Sequence, residues 1–434
     1  MLNDHEKGLE GTIPTAEMVG DVSPVEEEHK LIHNAYPDGG REAWLTVGGA
    51  WCCNFASFGW TSSVGVFQTY YSQNQLSEYS SSTVSWIPSA NLFMLLVLAP
   101  VFGKLFDSYG PRWIIVFGTI VDVLGLMFLS LSDKYYQIFL SQSIFSGIGS
   151  CALFYAGMNA VSTYFQKKRA LAIGIVASAS SLGGVIVPIM FNNIIDAGVS
   201  FGWTIRIIAF TFLALLSFAC VFTKSRLDHK PKPLIIMDFI RPLKEVPFLF
   251  LTAAGFFAFW GIFIPNNFIV LYAQSIGMSV NLSNYQLVVL NAASIFGRVG
   301  CGLVADRFGR INTIIINLVL VTVFVLALWL IQTEGTTIAF STLYGFGSGS
   351  FISLLPAIIA QVSDIREIGV RTGIVYFVSA FACLTGNPIG SALIENNSHP
   401  YRWMQVFSAI IIFIGAGFFT LLRLSQSRKL TARV

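Results

Sequence analysis

The sequence predicts an all-α membrane protein with twelve transmembrane helices in two parallel six-helix repeats. Three observations carry that expectation: a composition poor in charge, twelve apolar segments with alternating basic loops, and two halves that repeat one another. Of 434 residues, 54% are apolar and only 11% charged, against about 25% charged in an average soluble domain. Mean hydropathy is +0.67. Such a chain is not a soluble enzyme with an ordinary solvated surface, nor a disordered or nucleic-acid-binding protein.

The apolar segments fall at about 43–70, 84–106, 111–131, 136–163, 170–195, 202–222, 248–273, 284–305, 311–332, 337–361, 370–393 and 402–424. Each is near the ~20 residues that an apolar helix needs to cross a bilayer. Helix is the expected element, because a backbone in lipid must satisfy its own hydrogen bonds. The roughly ten-residue alternation of outer-membrane strands is absent.

The few charges are unevenly placed. Residues 1–42 hold ten acids and three bases, a net of −7, while the remaining 23 bases and 13 acids leave a net of +10. The head of the chain has no apolar run and no signal-peptide pattern, so 1–42 is predicted to be a disordered acidic cytosolic tail. Residues 43–222 then form the first six-helix bundle, 223–246 a cytosolic linker, 247–424 the second bundle and 425–434 a short cytosolic tail. Nineteen bases follow the even-numbered segments, among them Lys104, Arg112, Lys167, Lys168, Arg226, Arg307, Arg310 and Arg428. Positive residues stay on the cytoplasmic side, which predicts both termini in the cytosol. Two sequons, at Asn281 and Asn396, fall in short predicted outside loops. The six cysteines lie within helices in no metal-ligand spacing and read as packing residues.

The halves repeat with an offset of 199 or 200 residues. Gly103-Lys-Leu-Phe-Asp107-Ser-Tyr-Gly110-Pro-Arg112 recurs as Gly302-Leu-Val-Ala-Asp306-Arg307-Phe-Gly309-Arg310. Gly147-Ile-Gly149-Ser150 recurs as Gly347-Ser-Gly349-Ser350, and Pro188-Ile189 as Pro388-Ile389. Six helices per copy is an even number, so both copies share one orientation. Parallel repeats with a site between them are the architecture of alternating-access carriers.

The Gly-x-Leu-x-Asp-x-x-Gly-x-Arg loop and its second copy resemble the signature loops of the major facilitator superfamily. Pro37-Asp38-Gly39-Gly40-Arg-Glu-Ala43-Trp44 resembles the lead-in to the first helix of its monocarboxylate porter branch. Tyr164-Phe165-Gln-Lys167-Lys168-Arg169-Ala-Leu171-Ala172-Ile-Gly174 resembles that branch's lead-in to the fifth. Val64-Gly65-Val66-Phe67-Gln68-Thr-Tyr70-Tyr71 and Ile368-Gly369-Val-Arg371-Thr-Gly373 are similar to fungal members. The resemblance implies movement of an organic acid or related metabolite, often coupled to protons.

Within the helices, Arg298 is the most informative residue. It lies eight residues before Asp306, about 12 Å along the axis, and a charge at that depth must face the bundle interior or a water-filled cavity. Asn291, Ser294 and Arg298 share one helical face, and a guanidinium fork suits a carboxylate. The resemblance places a substrate-binding arginine at this position. The alternative is an interhelical ion pair with Asp122, the other deep charge. Asp122 is the candidate proton carrier, because burial favours a neutral carboxyl; the competing reading is a hydrogen bond to a neighbouring helix. Mammalian members carry an aspartate where Ser294 stands and a lysine where Ser62 stands, so their proton and lactate mechanism does not transfer directly.

Asn54, Ser62, Tyr155, Asn159, Asn267 and Tyr376 are further candidate cavity residues, with interhelical hydrogen bonding as the competing reading for each. Asn266 and Asn267 follow Pro265, where a broken turn is expected. The run Ala177–Gly184 reads as close packing, with lining of the pore as the second reading. Asp107, Arg112, Asp306, Arg307 and Arg310 form a candidate latch that holds one conformation and releases in another.

No phosphate loop, His-Glu-x-x-His or Cys-x-x-Cys is present, so neither enzyme activity nor a cofactor or metal is expected. The expected partners are a small organic anion, protons and membrane lipids. The leading expectation is a secondary transporter of an organic acid, including export of an acidic secondary metabolite, in the plasma or vacuolar membrane. The alternatives are uptake of a neutral or vitamin-like metabolite, and a non-transporting nutrient sensor.

Overall fold

The computed structural model describes residues 36–231, 233, 235–395 and 401–427. Residues 1–35 of the expected acidic tail, the sequon at Asn396 and the terminal bases Arg428, Lys429 and Arg433 lie outside them. No strand occurs among the described residues. Twelve long helical segments follow one another among the described residues. The first, α1, runs Arg41–Asn54, through a π turn Phe55–Gly59, to Trp60–Gln73. Then come α2 (Ser81–Val97 and Ala99–Tyr109), α3 (Pro111–Leu129), α4 (Tyr135–Tyr164), α5 (Arg169–Asp196) and α6 (Phe201–Phe222). The second set is α7 (Val246–Ser275), α8 (Val280–Phe308), α9 (Arg310–Trp329), α10 (Glu334–Val362), α11 (Ile368–Glu395) and α12 (Arg402–Gln426).

Eleven of these are long and apolar enough to cross a membrane. The other, α1, falls short because glycine, tryptophan and hydroxyl residues crowd its sequence. Outward-facing residues such as Trp113, Phe117, Phe296 and Phe413 are exposed apolar side chains, the composition of a lipid-facing surface.

The acidic head does not run unstructured to residue 42. Arg41 opens α1, and Asp38 accepts hydrogen bonds from the backbone N–H groups of Gln166, Lys167 and Lys168. Between the halves, residues 237–240 form a short helix and 241–244 a 3₁₀ turn. The linker therefore carries structure. Its Asp238 pairs with Lys104 of α2 at 2.5 Å.

Each half packs by the same scheme. Helices α3 and α4 pair as α9 and α10 do, and α1 with α6 as α7 with α12. Across the halves the seam is made by α5 against α8 and α2 against α11, pairs that the repeat exchanges with one another. Glycines make those crossings possible. A Cβ on Gly103 would run into the Gly369 carbonyl, and one on Gly369 into the Gly103 carbonyl. At the repeat-related crossing a Cβ on Gly302 would run into the Ala170 carbonyl, and one on Gly174 into the Arg298 carbonyl. Helices meet this closely only where side chains are absent.

The expected break at Pro265 is not there: α7 continues through it. Proline removes the N–H that would bond the carbonyl four residues earlier, here Gly261. The Ser408 hydroxyl of α12 donates to that carbonyl at 2.9 Å instead, and the helix stays whole.

Gly103→Val should force α2 away from α11. Thermal unfolding in detergent is expected to report a loss of about 1–3 kcal/mol, the usual cost of overpacking, with a smaller loss for Gly103→Ala.

Candidate functional site

A small cleft lies between the halves at mid-helix, lined by Phe58 and Ser62 of α1, Ile262, Phe263 and Asn266 of α7, Leu290, Asn291, Ser294 and Arg298 of α8, and Ser348 and Ile352 of α10. The π turn in α1 sets the first of these. Its extra backbone widens the helix, and Phe58 and Ser62, one turn apart, both reach the cleft. Gly183 and Gly184 of α5 sit directly behind, against Gly59 and Ser62.

Arg298 is 6% exposed. Its guanidinium donates to the Ala177 carbonyl and the Ser180 hydroxyl of α5, and its Nε has no partner. No acidic side chain faces it among the described residues. A buried guanidinium held only by neutral oxygens is costly and incompletely compensated. Beside it, Ser294 and Ser181 share a hydrogen bond at 2.6 Å across the seam.

Asp122 lies elsewhere, between α3 and α4. Ser146 and Ser150 donate to one carboxyl oxygen at 2.9 and 3.2 Å, and the other oxygen is buried without a partner. Arg298 and Asp122 are therefore not paired. In the second half Asn317 of α9 donates to the Gly347 carbonyl of α10 at 2.8 Å, so each peripheral helix is tied by one polar side chain to its repeat's Gly-x-Gly-Ser stretch.

The other candidates separate into groups. Ser62, Asn291 and Ser294 line the cleft with Arg298. Asn54 donates to the Val176 carbonyl of α5 at 2.8 Å and sits outside the cleft. Asn267 is exposed on the far face of α7, and its neighbour Asn266 takes the cleft position with a buried oxygen lacking a partner. One residue of register, 100° around the helix, decides between them. Tyr155 of α4 and Tyr376 of α11 meet across the seam at 5.3 Å between ring centres. They join Phe58, Phe154, Phe259 and Phe351 in one aromatic cluster on the basic-loop side of the cleft, and the Tyr155 hydroxyl is buried without a partner. Asn159 is buried one turn further on. Phe58 and Phe263 are not marked by the sequence, because apolar residues in a membrane helix carry no signal of their own.

At the basic-loop end the two signature aspartates act on backbone. Asp107 accepts from Gly369 and Val370 N–H, both at 2.8 Å. Asp306 accepts from Ala170 and Leu171 N–H at 3.1 and 2.9 Å, and from Arg310. These donors are second and third residues of α11 and α5, where N–H groups have no partner within the helix and the dipole favours an anion. Arg310 also reaches the Gln166 carbonyl. Arg112 and Arg307 are exposed and make no ion pair among the described residues. Arg169, which opens α5, donates to the Ala360 carbonyl at the end of α10 at 2.8 Å. This end of the seam is closed.

A membrane-embedded bundle with a polar, singly charged cleft between two six-helix repeats is the form of a solute carrier. Residues 50–335 and 251–433 match the family model described as Major Facilitator Superfamily. The chain belongs to that superfamily and is a multi-pass membrane transporter. It is 44% identical over 389 residues to the MFS transporter asaE of Aspergillus flavus, covering 89% of this chain and 87% of that one. It is 42% identical to the fujikurins efflux protein of Gibberella fujikuroi, covering 88% and 82%, and 41% identical to the agnestins efflux protein AgnL12 of Paecilomyces divaricatus, covering 88% and 87%. Among solved structures, the human organic anion transporter MFSD10 superposes with a TM-score of 0.66 at 15% identity, over 89% of this chain and 99% of that one. These relatives are carriers, not enzymes.

The closed end yields a pH test. Arg371 donates two hydrogen bonds of 2.7 Å to Glu245 in the linker, which holds that carboxyl below its ordinary range. A depressed carboxyl pKa contributes stability above the unfolded value, lost as pH falls through the folded one. The carboxylate is partly exposed, so the effect is about 1 kcal/mol or less. Glu245→Gln should unfold at slightly lower temperature than wild type at neutral pH, and the two melting curves should converge below about pH 4.

Proposed function

We infer that the protein exports an acidic secondary metabolite by alternating access, with Arg298 receiving the substrate's anionic group in the central cleft. The single observation behind this is a guanidinium, buried at mid-helix beside the cleft, that faces no acid and keeps one N–H unpartnered. Charge-assisted bonds to a carboxylate are about twice as strong as bonds to neutral oxygens. Phe58, Phe263, Ile262, Leu290 and Ile352 around it favour a substrate with a sizeable apolar body over a small monocarboxylate. The names of the fujikurins and agnestins efflux proteins support export. With the basic loops in the cytosol, as charge distribution predicts, the closed end is cytosolic and the conformation faces away from it. The stretches before α1 and α5 support placement in the monocarboxylate porter branch, and the plasma membrane is the setting that export requires. Asp122, bonded within α3 and α4, acts as a helix fastener in this reading.

Reconstitution in liposomes with labelled aromatic carboxylic acids tests it. Arg298→Ala should lower kcat/KM for the acids on the order of 10- to 100-fold, the cost of one charge-assisted contact, and leave the matching carboxamides unaffected. Equal acid flux in wild type and variant would refute the assignment. In the same assay Asp122→Asn should retain whatever response to an imposed pH gradient the wild type shows, and a lost response would restore Asp122 as a proton carrier.

A further inference from the structure

Arg298 does not project freely into the cleft. It crosses from the second half to the first and rests on the small-residue run of α5, donating to the Ala177 carbonyl and the Ser180 hydroxyl. Ser180 is 1% exposed, and it belongs to neither the cleft lining nor the aromatic cluster. The guanidinium therefore bridges two elements that must separate if the halves rock about the site. Those same elements carry the Gly174–Arg298 backbone crossing and, eight residues further along α8, the Asp306 carboxylate on the first turn of α5.

Two facts set this contact apart from ordinary packing. Both acceptors are neutral, so the cation is under-compensated where it sits. The Nε, in the same planar fork, has no acceptor at all. Both bonds to α5 come from Nη1 and Nε is buried, so a carboxylate arriving through the cleft meets the Nη1–Nη2 edge of the fork, and its two charged oxygens compete there with α5 for Nη1.

We propose that the Ala177 carbonyl and the Ser180 hydroxyl are counter-ligands that compete with the substrate's anionic group for Arg298. Ser180 is then a positioning residue: it acts on the substrate through the guanidinium, and anion binding removes one tie of the α5–α8 seam. The seam is a two-state element, and the ligand biases it by its differential contacts in the two arrangements. A neutral analogue of the same shape fills the cleft but leaves the tie in place. The proposal rests on the anion-binding reading of Arg298 in the preceding section.

The test uses tritiated 1-naphthoate and its methyl ester, with equilibrium binding measured on full-length protein in nanodiscs. Removing a neutral competitor for a charged group should tighten naphthoate binding by roughly tenfold in Ser180→Ala. Ser180→Thr, which keeps the hydroxyl, should return to the wild-type Kd, and ester binding should be the same in all three proteins. A purely structural serine would shift acid and ester alike. Ser180→Cys, near in size and a poor acceptor, serves as a second variant should the alanine protein fail to fold, with tighter naphthoate binding again expected. Unchanged or weaker naphthoate binding in both Ser180→Ala and Ser180→Cys overturns the competition alone. If wild type and Arg298→Ala bind naphthoate equally, or wild type does not bind it, the anion-binding reading fails and this proposal falls with it.

Discussion

The structure hangs on two crossed caps. A carboxylate near the C-terminus of its own helix faces that helix's negative dipole end and is unfavourable there. Asp107 and Asp306 escape this by capping the first turns of α11 and α5, helices of the opposite half. Each cap satisfies two N–H groups that would otherwise lack partners, and each requires the helix axes to cross closely. Gly103, Gly369, Gly174 and Gly302 supply that closeness. These caps, with the glycine crossings beside them, shut the basic-loop end in this structure.

Everything inside the bundle follows from the cost of burying polarity. Asp122 is bonded by two serines, Asn54 by a carbonyl and the Gly261 carbonyl by Ser408. The accounting is incomplete both within the halves, at Asp122 Oδ2 and Asn54 Oδ1, and at the cleft and seam, at Arg298 Nε, Tyr155 and Asn266. Of these, Arg298 alone carries a full charge held by neutral oxygens only.

Much of this was legible in the sequence. The twelve segments, the repeat and the depth of Arg298 and Asp122 could be read because lipid excludes charge, so each charged residue within an apolar run marks itself. Asp107 and Asp306 stood out in the sequence as acids at helix ends, near bases and the ends of neighbouring helices; which partners they take, backbone N–H groups of the other half with Arg310 added at Asp306, no sequence displays. Asn266 and Asn267 differ by one position and look equivalent until the helix is docked. Ser180 lies in a small-residue run that reads as packing first and pore lining second, and no local pattern tells which of its serines meets the guanidinium.

The sequence alone determined the number of helices, their order, the duplicated plan and the two charges left at depth, since each follows from local composition and the cost of desolvating charge. Tertiary structure decided what those charges meet. Asp122 turned to α4, and Arg298 reached across to α5, over 118 residues of chain to Ser180. A contact between residues so distant depends on helix rotation and on glycines that admit a neighbouring backbone, quantities set by packing the whole bundle and by no single stretch of it.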